Sequence, residues 1–453
     1  MNAWNIAFLR GPRSASRSGR PCPTRAVVRA ALALVMLAPV ARADWPDFRG
    51  PFANGHVVAP GSTNRVGLPL HWSETQNVRW KTPIPHRGWS TPVIWGNQIW
   101  LTTATEDGRE FFVVCVDATT GRVVFHERVF QCEAPEPLGN KLNSYASPSP
   151  VIEPGRVYVH FGSYGTACLD TRTFRVLWKR NDLPCRHYRG PGSSPVLFEN
   201  RLILTMDGVD VQYLAALDAG TGQTVWKSDR TAEWNDLDSD GRPIAEGDYR
   251  KAYSTPIIVR ADGRTQMFNL GAKAAYSHDP RTGRELWKVR HAAFSGASRP
   301  LYADGRVFIS TGHGRGEVLA VRTDGNGDVT DSHIVWRTTR GVPRMPSSVL
   351  VDGLLFMVSD SGTATCLEAA TGREVWQERL PGEYAASLLY ADGRIYAFNQ
   401  TGIATVFRAA RQFDVLATNR LDAGFMASAA VTGNAFILRT KTHLYRIEEL
   451  PAR

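Results

Sequence analysis

The chain is short of the features that mark most function classes. Its longest apolar run, Ala30 to Val40, falls well below the roughly 20 residues a membrane-spanning helix needs. It has no H-E-x-x-H, G-x-S-x-G or C-x-x-C motif, so zinc-protease, serine-hydrolase and dithiol chemistry find no support. Cysteine is scarce: Cys22, Cys115, Cys132, Cys168, Cys185 and Cys366, no two adjacent. The eleven histidines are scattered, with no helical pair at ligand spacing. The glycine run Gly312 to Gly316 falls in a predicted hairpin turn, and without a following helix it cannot cradle a phosphate. Acids are outnumbered, 43 to 53, for a formal charge of +10. Seven of those bases (Arg10, Arg13, Arg17, Arg20, Arg25, Arg29 and Arg42) lie in residues 1–43, which contain no lysine and no acid; without them the charge is 10 − 7 = +3. No basic tract remains to neutralise a run of phosphates, so a nucleic-acid partner is not expected.

The arginine-rich start, the apolar run and the small-residue pattern Ala41-Arg42-Ala43 predict a secretory signal over residues 1–43. The expected product begins near Asp44 and is exported to the periplasm, cell envelope or medium. No cysteine follows the apolar run, which argues against a lipid anchor. Residues 44–76 then form a leader packing on the main domain, 77–449 the domain itself, and 450–453 a short tail.

An eleven-residue pattern recurs along that domain: small residue, x, acid, x, x, Thr, Gly, three residues, Trp. Its best copy is Ala216 to Trp226, with Asp218, Thr221 and Gly222. Others are Cys115 to Phe125, Cys168 to Trp178, Ser277 to Trp287 and Cys366 to Trp376; Ala320 to Trp336 carries an insertion, and Val406 to Leu416 has lost both Gly and Trp. The acid starts a tight turn and the Gly supplies a positive φ, so the motif joins two antiparallel strands. The Trp on the outer strand has indole area to bury against a neighbouring unit. Two further strands precede each copy, as in Ser193 to Leu197 and Gly155 to Val159. Four strands recurring every 40–60 residues, by the closing positions at 80, 125, 178, 226, 287, 336, 376 and 416, predict an all-β eight-bladed β-propeller of four-stranded antiparallel blades. Seven blades are complete. The eighth takes its outer strand, Asn77 to Lys81, from the N-terminus, and this closes the ring.

These repeats resemble the pyrroloquinoline quinone (PQQ) enzyme repeat of quinoprotein-like propellers, and Trp45 to Pro51 looks like the leader of exported members. The family includes quinoprotein alcohol and glucose dehydrogenases and the assembly lipoprotein BamB, so it implies a fold more firmly than an activity. The enzymes of the family imply a vicinal cysteine pair beside the quinone, calcium held by acids and an amide, and a catalytic aspartate. The segments that lead into the inner strands supply instead a basic and aromatic mouth. From it Trp89, Asn143, Tyr145, Arg189, Lys251, Tyr253 and Arg344 are the candidates for a small anionic or sugar-like ligand, held by bidentate hydrogen bonds and stacking. The shortage of carboxylates there argues against a PQQ–calcium site.

Asp236, Asp238 and Asp240 match the opening of a calcium loop, D-x-D-x-D-G, although its twelfth position is Gly247. A structural Ca2+ is a candidate there, and a weaker one at Asp324 to Asp328. Cys132 and Cys185 each lie seven residues past an outer-strand aromatic, Phe125 and Trp178, and are a candidate disulfide in an oxidising compartment. The reading is a monomeric, non-catalytic platform binding a cell-envelope protein or a small ligand. The alternative is a PQQ-dependent oxidoreductase acting on alcohols or sugars.

Overall fold

The computed structural model describes residues 44–140 and 142–451; the expected signal segment 1–43 and Cys22 lie outside them. The described residues build eight four-stranded antiparallel sheets with strands in sequence order from axis to rim. Blades 1 to 7 span residues 93–131, 151–180, 196–229, 257–290, 301–338, 349–379 and 389–420. Blade 8 comprises Ala430–Thr432, Ala435–Arg439 and His443–Ile447, with Val78–Pro83 pairing antiparallel on its outer edge. The predicted architecture and its closure are therefore observed. The inner strand of blade 8 is short, Ala430–Thr432, and Met426 and Ser428 before it line the axial cavity. Phe425 donates its N–H to Asn399 O (3.0 Å).

The repeat motif acts as its chemistry predicts. Asp218 Oδ1 accepts the N–H groups of Gly220 (3.0 Å) and Thr221 (2.9 Å) and the Thr221 hydroxyl (3.0 Å). Asp117 and Asp170 hold their turns the same way. In five blades the closing Trp lies across the next blade's turn and donates its indole N–H to a carbonyl there. Trp80 reaches Ala118, Trp178 reaches Ala219, Trp226 reaches Pro280, Trp336 reaches Ala369 and Trp376 reaches Ala410, at 2.9–3.2 Å. The turn glycine makes this approach possible: a Cβ on Gly121, Gly222, Gly283 or Gly372 would stand 2.5–2.7 Å from the facing indole.

The irregular copies show what replaces this contact. Blade 2 carries Phe174 (φ 60) where others have Gly, and blade 1 answers with Phe125, stacked on it at 5.0 Å and 10°. Blade 5 has an insertion in place of the turn. Its residues Gly327–Asp328 add a fifth, parallel strand to the rim of blade 4, and Trp287, with no turn to cover, is fully buried and donates to Gln266 Oε1 (3.2 Å).

Two glycines of nearly equal φ separate backbone strain from packing. Gly263→Ala places its Cβ in open space at φ +76 and should cost only the strain, about 1 kcal/mol. Gly222→Ala, at φ +75 under Trp178, should lose about 2 kcal/mol more. Equal denaturation midpoints for the two variants would show that the indole contact holds no blade in place.

Candidate functional site

Two residues before each inner strand, the sequence sets a side chain beside the axis: Thr91, Ser149, Ser194, Thr255, Arg299, Ser347, Ser387 and Ser428. The hydroxyls accept backbone N–H groups from the preceding blade. The donors Thr91, Ser149, Ser194, Arg299, Ser347 and Ser387 reach the next position round the ring at 2.9–3.0 Å. These buried N–H groups have no strand partner, so a short side chain ending in an acceptor satisfies them at the crowded centre.

Blade 5 breaks the girdle with Arg299, whose guanidinium is 1% exposed. It donates to Pro256 O (3.0 Å), to both oxygens of Asp47 (3.1 Å each) and to Phe48 O. The leader is thereby pinned across one end of the axis. Trp45 pairs with Ile94, Pro46 O accepts the N–H of Ile152 (2.9 Å), and the buried Arg49 donates to the carbonyls of Ser347, Leu388, Ser348 and Asn54. Burial lowers the Arg49 pKa to about 9.

Above Phe48 lies an axial cavity of about 430 Å³, with Phe48 as its floor. Part of its wall comes from Trp89, Leu142, Met345 and Met426. Another part comes from Arg189, Asp248, Lys251, Tyr253, Phe294 and Ser295. Backbone bonds hold this second wall together: Ser295 N–H to Lys251 O (2.8 Å) and Tyr253 N–H to Gly296 O (2.9 Å). Phe294–Ser295 also pairs with Gly312–His313. Gly312 (φ +108) is needed for that approach, since a Cβ would stand 2.5 Å from Gly296 N and Phe294 O.

Asp248 sits between two cations. Lys251 Nζ, 1% exposed, donates to its carboxylate and to its carbonyl (2.8 Å). Arg189 contributes Nε (3.3 Å) and Nη2 (3.4 Å). Burial pushes the Asp248 pKa upward, but Lys251 and Arg189 outweigh it and hold the carboxyl below its ordinary range. Burial lowers Lys251, a fall that Asp248 partly offsets. Burial raises the Tyr253 phenol, which keeps it protonated and a donor. The Tyr253 and Ser295 hydroxyl oxygens are buried without a hydrogen-bond partner.

The insertion between blades 3 and 4 delivers this wall. Ala245 (φ 52), Glu246 (φ 55) and Gly247 (φ 84) are three successive left-handed residues that swing Asp248 inward. Gly247 is required there because a Cβ would meet Val209 O at 2.3 Å. Strain of this kind, about 1 kcal/mol per non-glycine residue, persists where surrounding structure imposes it.

Of the seven ligand candidates, Trp89, Asn143, Arg189, Lys251 and Tyr253 line the cavity. The Asn143 amide is a brace, donating to Arg189 O (2.8 Å) and Pro191 O (3.1 Å). Tyr145 does not line the cavity; it is buried between blades 1 and 2 and donates to Glu136 O (2.8 Å). Arg344 is half-exposed beside Asp360 (3.8 Å) and His313. Asp248, Phe294, Ser295 and the floor residue Phe48 were not among the sequence candidates.

The structure does not assemble the calcium loop. Asp236 is taken by Arg250 (2.6 Å) at the base of the insertion, Asp238 Oδ1 caps the N–H groups of Asp240 and Arg242, and Asp240 is exposed. Asp324 pairs with Arg322 and His333, and Asp328 with Arg290. Among the described residues no three metal-ligating side chains converge. The expected Cys132–Cys185 bridge is likewise not formed, and both are free thiols. Cys185 is buried against His187 Nδ1 (3.6 Å) with Met206 and Tyr213, whereas Cys132 packs on the core of blades 1 and 2.

The cavity's donor set does not fit PQQ with calcium. The quinone is a tricarboxylate and its metal needs several oxygen ligands. Here the one carboxylate of the lining, Asp248, is already held by Arg189 and Lys251 and is not free to ligate a metal, and no two cysteines are adjacent.

A family profile described as outer membrane protein assembly factor BamB matches residues 42–184 and 327–414. The outer membrane protein assembly factor BamB of Yersinia pestis is 22% identical over 206 residues, 42% of this chain and 48% of that protein. The match thus spans about half the length of that relative. Among solved structures, BamB from Moraxella catarrhalis superposes with TM-score 0.56 and 12% identity, covering 82% of this chain and 99% of that one. A europium-containing methanol dehydrogenase superposes with TM-score 0.61 and 11% identity, covering 89% of each chain. At these identities the structural likeness is one of fold.

Asp248→Asn leaves Lys251 buried without a counter-charge and should destabilise the protein by about 3 kcal/mol. Adding Lys251→Met should recover most of that loss. A double variant no more stable than the single one would show that the pair does not couple.

Proposed function

The chain belongs to the BamB family of PQQ-like repeat propellers, and from that premise we propose that it is a non-catalytic binding platform of the cell envelope for a protein partner. The observation that carries this reading is the state of the blade rims. Val124, Leu177 and Val225 occupy equivalent places on the outer strands of blades 1 to 3 and are 46–48% exposed. The equivalent residue of blade 4, Leu286, is 5% exposed, and there the chain's own segment Gly327–Asp328 runs along the edge. Val329 packs in the same cluster as Leu286. A blade rim of this protein therefore accepts an added strand and gains buried apolar surface when it does. Rims 1 to 3 offer the same edge to another chain, the mode of recognition in which main-chain hydrogen bonds give affinity and alternate side chains give specificity.

The name of the relatives directs the choice of partner toward proteins of outer membrane protein assembly. Export through residues 1–43 agrees with an envelope location, and among the described residues no helix is long and apolar enough to cross a membrane. The oxidoreductase alternative has only fold-level likeness behind it, since the cavity offers calcium no free carboxylate.

Replacing Val124, Leu177 and Val225 together by Asp changes solvent-facing positions, so the melting temperature should hold within about 2 °C. Crosslinking and capture from the native cell envelope should then lose the assembly proteins that the wild-type chain retains. Undiminished capture by the triple variant would refute rims 1 to 3 as the partner surface. Saturable, calcium-dependent quenching of tryptophan fluorescence by PQQ would restore the dehydrogenase alternative.

A further inference from the structure

We propose that the axial cavity binds a small organic monoanion, a carboxylate head on an apolar body. This goes beyond the platform reading and does not rest on it, because the cavity and the blade rims are different surfaces. Nothing in the family match assigns a ligand to this cavity.

The head group follows from the balance of donors and acceptors on one wall. Lys251 makes two of its three possible hydrogen bonds, both to Asp248. Arg189 uses Nε and Nη2 toward Asp248, which leaves Nη1 for a further acceptor. Tyr253 Oη and Ser295 Oγ are buried donors with no partner, and Ser295 is only 8% exposed. The one anionic acceptor on the wall, Asp248, already takes three bonds from the two cations. A buried donor without an acceptor is costly, and here two hydroxyls and two cationic N–H groups stand on a single hydrogen-bonded scaffold. The charge of the trio, +1, is neutralised by one negative charge and not by three.

The apolar body follows from the opposite side. Trp89, Leu142, Met345 and Met426 line it, and Phe48 closes the floor. Trp89 is held in place by its indole N–H on Leu142 O (3.0 Å) and by Arg87 stacked on its ring at 5.0 Å. A volume of about 430 Å³ suits a single-ring or short-chain acid. An inorganic oxyanion would leave the aromatic and methionine surface uncovered, and a free sugar would bring hydroxyl donors to a wall that already has too many.

The test is calorimetric titration of the purified protein with phenylacetate, cinnamate and hexanoate, with phenylacetamide and inorganic phosphate as controls. At least one carboxylate should bind saturably at millimolar concentration or better, while the amide and phosphate should not. Tyr253→Phe and Ser295→Ala each remove an unpartnered hydroxyl, so both should fold with unchanged or higher melting temperature. Each should weaken carboxylate binding about tenfold, the effect of losing a hydrogen bond to a charged group. Equal binding of phenylacetamide, unchanged affinity in both variants, or no binding of any of the three carboxylates would overturn the assignment. None of these outcomes bears on capture of a protein partner by the rims.

Discussion

Most blades are held to the next at two radii: beside the axis by a hydroxyl that accepts its neighbour's backbone N–H, and at the rim by an indole laid over its neighbour's turn. Between these contacts the sheets pack face to face, and a ring built this way is stable only when it closes. Closure falls to blade 8, where Val78–Pro83 completes the sheet and the buried Arg439 reaches across to the Ser90 and Thr102 carbonyls of blade 1. The leader repeats the device at the end of the axis, where Arg49 ties blades 6 and 7 through their carbonyls. Both guanidiniums are held without a carboxylate, by converging carbonyls and, for Arg439, the Ser90 hydroxyl as well, although Arg49 Nε stays unpartnered.

The repeat departs from its own rule mainly around blades 4 and 5, and there the cavity acquires its chemistry. Arg299 replaces the girdle hydroxyl, the insertion after blade 3 carries Asp248 and Lys251 inward, and the insertion in blade 5 covers the rim of blade 4. The regular blades contribute small hydroxyls and apolar side chains to the axis. A repeat protein has many equivalent positions, so a site needs broken equivalence, and insertions break it without disturbing the contacts between blades.

This division also explains what was legible in the sequence. Asp218, Thr221, Gly222 and Trp226 act within a few residues of one another and on the next copy of themselves, so spacing alone reveals their roles. The eight-blade count and the N-terminal closing strand follow from the same periodicity. Asp236 illustrates the opposite case: its spacing to Asp238 and Asp240 matches a calcium loop, yet Arg250, 14 residues on, takes the carboxylate. Asp248 stands beside the position where that loop would need its last ligand, and its inward swing passes through Gly247, where a Cβ would strike the Val209 carbonyl of blade 3. Tyr145 and Arg344 lie in the right segments but point away from the axis, a matter of side-chain direction that an irregular backbone does not encode by period. The hydroxyl girdle was not read from the sequence, because its circular bonding emerges only when the ring is closed.

The leader changes what the axis can be. A propeller axis is a channel, and a channel lined by small hydroxyls suits water more than it suits a specific ligand. Phe48 turns it into a well with one apolar end, and Arg299 holds Phe48 there by engaging the neighbouring Asp47. Arg49 and Arg439 carry positive charge without local carboxylates, and the Arg189–Asp248–Lys251 trio is itself net positive. Only the trio lines the well, and within its low-dielectric walls that net charge sets the preference for an anion. The leader thus supplies the apolar floor, and the segments before blades 3 and 4 supply the charge. In this propeller, the selectivity of the axis is inseparable from the way the chain fastens its two ends.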